Sequence, residues 1–503
     1  ENCLYGADIN PMAVEMAKLS LWLVSMDPNR PFTFLDDRLV TGDSLLGITS
    51  VEQLEYMHLD PGRGRRLYEG ALDFTKDVRS LLAEVRERRR SLAEIQEDGD
   101  PLAILDKKKS ILGQIELDTA QGRTIADLLV GASLAHAIDQ GKLEPGRSDP
   151  DLEVKPRGFD AASVEASTLA GAVMRHVPDN NLRRVLEKRN EWLATDHVPG
   201  SFDRRPIHWP LVFPEVFEDS ADRANGPGFD AIIGNPPFLG GSKISGSHGP
   251  AYREFLVGAI ARGVKGNADL VAYFLLRAHA LLNETGQMCL IATNTLAQGD
   301  TREVGLDQIV EEGTTIRRAI KSAPWPSASA MLEYCAVWTS RAHVSEEGEK
   351  NLDGVVVPGI TSSLMPRSRV TGNPRRLAAN ARIAFQASKI DGLGFTLSKE
   401  EALSLIEEDP RNSEVLFPFI NGRDLNSRPD CSGSRWIINF FDMSKSQASQ
   451  YRKPFEQVLR LVKPEREKNN RSTRRDRWWQ YGERAPKLYE AIAGLERVIA
   501  LTR

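Results

Sequence analysis

The chain is 503 residues long, 41% hydrophobic and 27% charged, an ordinary composition for a soluble protein of about three domains. Its formal net charge of −5 excludes a global basic field, so any contact with nucleic acid must come from local patches. The four cysteines are scattered without zinc-type pairing, and there is neither a membrane-length apolar run nor a signal peptide, so a cytoplasmic location is expected.

Cys3 to Asp8 predicts a short strand ending in an acid. Asn10 suits a helix cap, Pro11 suits a first turn, and Met12 to Leu23 carries apolar residues at helical spacing. Strand, acid and helix make half of a nucleotide-binding unit, in which the tip acid binds ribose hydroxyls. Capping a helix is the plainer role for Asp8. Arg38 to Leu45 repeats the pattern, with Gly42 and Asp43 at the tip. Asp43 could accept a hydrogen bond from an adenine amino group, or serve as a turn acid after glycine. Because Cys3–Asp8 and Val498–Arg503 are strand-like runs at the two ends, the sequence is expected to be an internal fragment of a longer protein.

Residues 51–205 change character. Val78, Leu81, Leu82 and Val85 fall at helical spacing among Arg and Glu, and Leu102–Leu117, Thr124–Ile138 and Asn181–Leu193 predict further helices of a bundle. Arg86, Arg88, Arg89 and Arg90 read as a solvated helix face rather than a phosphate contact. Pro145–Gly158 reads as a loop, whose acids lie too close together to build a nuclease metal site.

Phe229 to Phe238, FDAIIGNPPF, has the composition of a buried parallel strand running into an extended turn. Open α/β sheets bind ligands just beyond the carboxyl ends of their strands, where this turn would lie. The Asn235 oxygen and the Pro236 carbonyl could accept both N–H bonds of an exocyclic amine, freeing a lone pair otherwise conjugated into the base. Phe238 could stack on a base swung out of its helix. A Pro-Pro turn that merely closes a strand is the alternative. The glycine-rich stretch after Phe238 reads as a mobile loop and lacks the Gly-x4-Gly-Lys spacing of a phosphate loop.

Asp269–Leu282 predicts an apolar helix, Met288–Thr293 a buried strand with Asn294 at its tip, and Leu332–Thr339 a further strand. Trp325, between two prolines, is either the second wall of a base sandwich or packing on the sheet edge. Beyond about residue 345 the sheet rhythm stops. Pro366–Arg376 is rich in basic and turn residues. Lys463–Arg477 is basic and runs into Trp478-Trp479-Gln480-Tyr481, either a nucleic-acid surface or a solvated helix with an aromatic plug.

Assembled in this order, these segments resemble the large gamma-class N6-adenine DNA methyltransferases of restriction–modification and phage-defence systems. YGADINPMAVEMAKLSLWL is similar to their second motif, TGDSLLG to the third, and FDAIIGNPPFLGG to the fourth. GNADLVAYFLLRAHALLNETGQMCLIATN resembles the fifth and sixth, and FINGRDL a motif opening the target-recognition region. The resemblance implies an α/β fold: a class I (Rossmann-like) sheet for S-adenosylmethionine (SAM), with a large helical insertion and a C-terminal α+β target-recognition region. The implied divisions are 1–50 and 206–345 for the methyltransferase core, 51–205 for the insertion and 346–503 for target recognition. Asp8 would hold ribose hydroxyls, Ile9 would pack on the cofactor adenine, and Asp43 with Ser44 would bind its amino group. Asn235, Pro236, Pro237 and Phe238 would form the catalytic motif, with Asn235 also bordering the cofactor. Phe238 and Trp325 would stack on the flipped base, and no metal is implied. Double-stranded DNA and subunits of a restriction or defence system are the implied partners.

The family's first motif, an aromatic-x-Gly-x-Gly loop, should precede the second and is not in this sequence. Activity is therefore expected of the parent protein rather than of these residues alone. Cytosine C5 methylation needs a cysteine, commonly after proline, which none of the four is. Cytosine N4 enzymes usually carry serine in place of Asn235. Asn-Pro-Pro enzymes acting on protein glutamine or ribosomal guanine are usually compact. A non-catalytic DNA-binding or specificity subunit is the alternative of a different class.

Overall fold

The computed structural model describes residues 3–25, 35–68, 75–93, 101–139, 157–174, 179–218, 225–325, 333–342, 348–368, 383–390, 392–430, 432–468 and 472–501. They divide into two compact units, Glu1–Thr371 and Gly372–Arg503. In the first unit, β1 (Gly6–Asp8) pairs in parallel with β2 (Leu39–Thr41), and α1 (Pro11–Ser25) connects them. Asn10 caps α1, its side-chain oxygen accepting the Met12 N–H at 3.0 Å.

Six helices come next: α2 (Val51–Glu55), α3 (Pro61–Leu67), α4 (Thr75–Ala93), α5 (Pro101–Ala135), α6 (Gly158–Met174) and α7 (Asp179–Leu193). The two helices expected at Leu102–Leu117 and Thr124–Ile138 are one, α5. No proline interrupts it, and Thr119 turns its hydroxyl back to the Ile115 carbonyl at 2.8 Å instead of capping a new start. Leu82, Leu128, Ala162 and Trp192 share one buried core with Tyr252, Leu276 and Leu290, so the helical region and the sheet bury a common apolar surface. Residues 145–156 of the expected loop lie outside the described residues, as does the Arg90 side chain.

Arg89 of α4 does not lie on a solvated face. Arg89 is buried and grips Glu215 with Nε and Nη2 at 2.7 and 2.9 Å, and Arg38 donates to the same carboxylate at 2.7 Å. Charges leave water only when paired this way, and here the pairing ties α4 to the segment ahead of the central strand.

That strand is β3 (Phe229–Gly234), in a six-stranded mixed sheet with β4 (Leu282–Ala292), β5 (Thr315–Pro324), β6 (Glu333–Ser340), β7 (Lys350–Leu352) and β8 (Val355–Val357). The order is β3-β4-β6-β5-β7-β8, with β3, β4, β5 and β7 running one way and β6 and β8 the other. The sheet thus continues past residue 345, because Asp353 and Gly354 (φ 52° and 85°) close the β7–β8 hairpin with the turn that two-residue loops favour. Contrary to its composition, β3 is not fully buried. It is an edge strand among the described residues, and Ile233 is 86% exposed.

The helices around the sheet are α8 (Trp209–Val212), α9 (Gly241–His248), α10 (Pro250–Phe255), α11 (Leu270–Leu281), α12 (Gly299–Val304) and α13 (Leu306–Glu311). The glycine-rich stretch after Phe238 is therefore helical rather than an open loop. Ile244 is fully buried and anchors α9, and Gly241 sits where a Cβ would meet the Ala268 carbonyl at 2.5 Å.

In the second unit, β9 (Thr396–Leu397), β10 (Leu416–Phe419) and β11 (Arg435–Ile438) form an antiparallel sheet in the order β10-β11-β9. Helices α14 (Lys399–Glu408), α15 (Gly422–Ser427), α16 (Lys445–Ala448), α17 (Arg452–Leu461), α18 (Lys463–Glu467), α19 (Ser472–Asp476) and α20 (Pro486–Ile492) accompany it. Trp478 and Tyr481 belong to its core, with the Tyr481 hydroxyl donating to the Ile438 carbonyl at 2.7 Å. These two aromatics beside the basic run are the plug, not a stacking platform. Residues 369–376 of the basic stretch that begins at Pro366 lie outside the described residues, as does Cys431. Among the described residues no helix is long and apolar enough to cross a membrane.

Burial, reinforced by Arg341, lowers the His279 pKa to about 4, while its Nε2 lies 2.8 Å from the Thr314 hydroxyl. The unfolded chain binds this proton below about pH 6.5, whereas the folded one binds it only near pH 4. Stability should therefore fall as pH drops through that window. Urea midpoints measured across it should decline less steeply in His279→Gln than in the wild type.

Candidate active site

The tips of β1 and β2 lie side by side, joined by the Gly42 N–H donating to the Asp8 carbonyl at 2.9 Å. Asp8 is exposed, and one carboxylate oxygen accepts the Asn10 N–H at 2.7 Å. Ile9 and Ser44 are half-buried beside the two tips. Asp43 differs sharply. It is only 4% exposed, Oδ1 accepts the Leu45 N–H at 2.8 Å, and Oδ2 accepts the Tyr252 hydroxyl at 3.0 Å. Burial raises its pKa, against the pull of those donors.

β3 begins beside β1: the Phe229 and Tyr5 rings meet edge-on with centroids 5.6 Å apart, in a cluster that includes Trp209, Phe213 and Ile232. The strand ends in Asn235-Pro236-Pro237-Phe238. Asn235 and Pro237 are exposed, Pro236 is buried and Phe238 is 41% exposed. Among the described residues, nothing hydrogen-bonds the Asn235 side chain or the Pro236 carbonyl, whereas the Pro237 carbonyl accepts the Leu239 N–H at 3.0 Å. An amide oxygen and a carbonyl without partners therefore stand next to an accessible aromatic ring. Asp269, at the start of α11, steadies the chain beyond Phe238, accepting the Gly241 N–H at 3.1 Å and the Thr295 hydroxyl at 2.6 Å.

Trp325 comes directly after β5, three strands from β3 in the order of the sheet, and its ring leans edge-on against Tyr334. Pro326, on its far side, lies outside the described residues. Among those residues no group of three or more His, Cys, Asp or Glu is placed to hold a metal ion.

Sequence reasoning missed the residues around Asp43. Tyr252 is 3% exposed, His248 stacks on its ring with centroids 4.9 Å apart, and the Arg204 guanidinium lies 5.7 Å from it. Arg277 is buried alongside and donates to the Leu45 carbonyl, and burial lowers its pKa to about 10. These residues come from segments up to 234 positions from Asp43, by the numbering 277 − 43, and no local spacing announces them.

The molecule is thus a mixed α/β protein with open hydrogen-bond acceptors at the end of one strand and an acid at the end of another. The chain belongs to the Eco57I restriction-modification methylase family, whose sequence pattern matches residues 2–321. Among solved structures, the Type IIL restriction-modification enzyme MmeI in complex with DNA matches at a TM-score of 0.41 and 14% identity, over 84% of this chain and 58% of that one. This chain therefore spans less than two thirds of the MmeI chain. No curated protein matches the sequence.

The two acids should respond differently to removal. Asp43→Ala strands a buried phenol and a buried N–H, and should cost about 3 kcal/mol in urea denaturation. Asp8→Ala should cost about 1 kcal/mol or less, because water replaces its exposed carboxylate.

Proposed function

We propose that this chain is the core of a site-specific DNA methyltransferase that transfers a methyl group from SAM to the N6 amine of a flipped-out adenine, within a restriction–modification or related phage-defence system. The observation that carries the reading is the unpartnered pair of acceptors, Asn235 Oδ1 and Pro236 O, beside the exposed Phe238 ring. In a member of a restriction-modification methylase family, that group suits a base amine. A class I, Rossmann-like sheet is supported by β3, β4 and β5 running one way, with β6 reversed between β4 and β5.

The residues at the β1 tip fit a cofactor. Asp8 keeps an exposed oxygen for ribose hydroxyls, and Ile9 offers an apolar surface for an adenine ring. Ser44 can donate beside it. Asp43 fits only in part, since an adenine amine would have to share or replace the Tyr252 hydroxyl. When bound, SAM would supply an electrophilic sulfonium methyl, which the amine nitrogen would take in exchange for the sulfur. The protein's own part is placement and polarisation. Asn235 Oδ1 and Pro236 O accept the two amine hydrogens, drawing nitrogen toward sp3 and exposing its lone pair. Pro236 and Pro237 hold that turn extended, and Phe238 stacks on the base. The surplus proton leaves to water.

Ile233 is exposed on β3, an edge strand among the described residues. Double-stranded DNA is the proposed substrate, restriction or defence subunits are proposed partners, and a cytoplasmic location goes with that role. Incubation of the parent protein with labelled SAM and mixed-sequence DNA should yield N6-methyladenine by mass spectrometry. Asn235→Ala should reduce the product at least ~100-fold, the scale of losing a polarising group. Label on RNA or protein instead would move the assignment to the compact Asn-Pro-Pro enzymes. DNA binding without any transfer would mark a non-catalytic subunit.

A further inference from the structure

We infer that Tyr252 is a positioning residue that couples the cofactor side of the site to the base side, through the hydrogen bond from its hydroxyl to Asp43. The inference rests on the proposed methyltransferase function and adds a residue and a linkage to it. Asp43 stands at the tip of β2, whereas Tyr252 stands on α10, reached from Asn-Pro-Pro-Phe through α9. Their 3.0 Å bond spans 209 residues of sequence and is buried at both ends.

Three features hold the phenol to this task. Gly249, with φ +96°, turns the chain from α9 into α10 at a point where a Cβ would lie 2.2 Å from the Asp196 carbonyl. The Asp196 carboxylate accepts the Ala251 N–H at 3.3 Å, fixing the start of α10. Arg204 reaches from outside both helices to the carbonyls of Leu193, Thr195 and His248 while facing the Tyr252 ring. After Phe255 the chain makes a π-turn over Leu256–Ile260, a form that recurs at functional sites.

The polar cluster around Tyr252 is not fully satisfied. His248 Nδ1 and Arg277 Nε are both buried without hydrogen-bond partners, and both residues border the Asp43–Tyr252 pair. Each buried atom left without a partner carries a cost and calls for a reason. Any movement of α9 and α10 on base binding is transmitted to the Asp43 carboxylate, and through the Leu45 N–H it accepts to the whole β2 tip. Reciprocally, an amine bound at that tip redirects Asp43 and shifts α10. Two ligands that bias one element must bias each other's binding.

The test is SAM binding to the parent protein by calorimetry, with and without a pool of random-sequence DNA duplexes, in the wild type and in Tyr252→Phe. Phenylalanine keeps the ring that stacks on His248 and faces Arg204, and removes only the hydroxyl. DNA should tighten SAM binding at least ~5-fold in the wild type, the lower end of ordinary coupling, and by less than ~2-fold in the variant. Asp43→Asn should lose the same coupling, and the double variant should lose no more than either single one. A Tyr252→Phe protein that keeps the wild-type ratio overturns the inference, even if its overall SAM affinity falls, as does a wild type in which DNA leaves SAM affinity unchanged. A wild type that binds no SAM under either condition refutes the cofactor assignment itself, and this coupling with it.

Discussion

The structure depends on a backbone interlock between two segments about 160 residues apart. The Asp43 N–H donates to the Arg205 carbonyl at 2.7 Å, the Ile207 N–H to the Asp43 carbonyl at 3.1 Å, and the Trp209 N–H to the Ile48 carbonyl at 3.1 Å. Gly47 sits so close to this crossing that a Cβ would lie 1.4 Å from the Ile207 carbonyl oxygen, so no other residue fits there. The helical region thus leaves and returns at one place. Loop-closure entropy grows only logarithmically with length, so a long excursion is tolerable once its ends are locked.

From that lock the site is laid out. The returning segment carries Trp209 and Phe213, whose rings meet Phe229 at the start of β3, while Tyr5 joins them from the start of β1. One aromatic cluster therefore positions the strands that end in Asp8 and in Asn235. The acids divide their labour by exposure. Asp8 faces solvent with capacity to spare, whereas Asp43 is committed to the interior and organises the turn around it. Among the described residues no donor reaches the acceptors on Asn235 and Pro236, which lie just beyond Gly234, the last residue of β3 paired with β4.

Local chemistry was legible in the sequence wherever a short run of residues carries its own constraint. The Asn10 cap and the strand leading to Asn-Pro-Pro-Phe are of this kind. What was not legible depends on distant partners. Arg89 of α4 looks solvated in sequence, and only Glu215, 126 residues further on, shows that its ion pair is buried. Ile233 reads as core because composition cannot reveal an open strand edge. The glycines after Phe238 predict a loop, yet Ile244 finds a buried seat that makes the stretch helical. Tyr252 carries no local signal, since its meaning comes wholly from Asp43.

The most direct measurement of the central claim is ultraviolet crosslinking of labelled SAM to the parent protein, with peptide mapping of the product. Label within residues 5–12, 42–46 or 229–238 is the predicted result, because those residues form the strand tips around Asp8 and Asn235. Label confined to Gly372–Arg503, or to peptides far from all three strand tips, would contradict it.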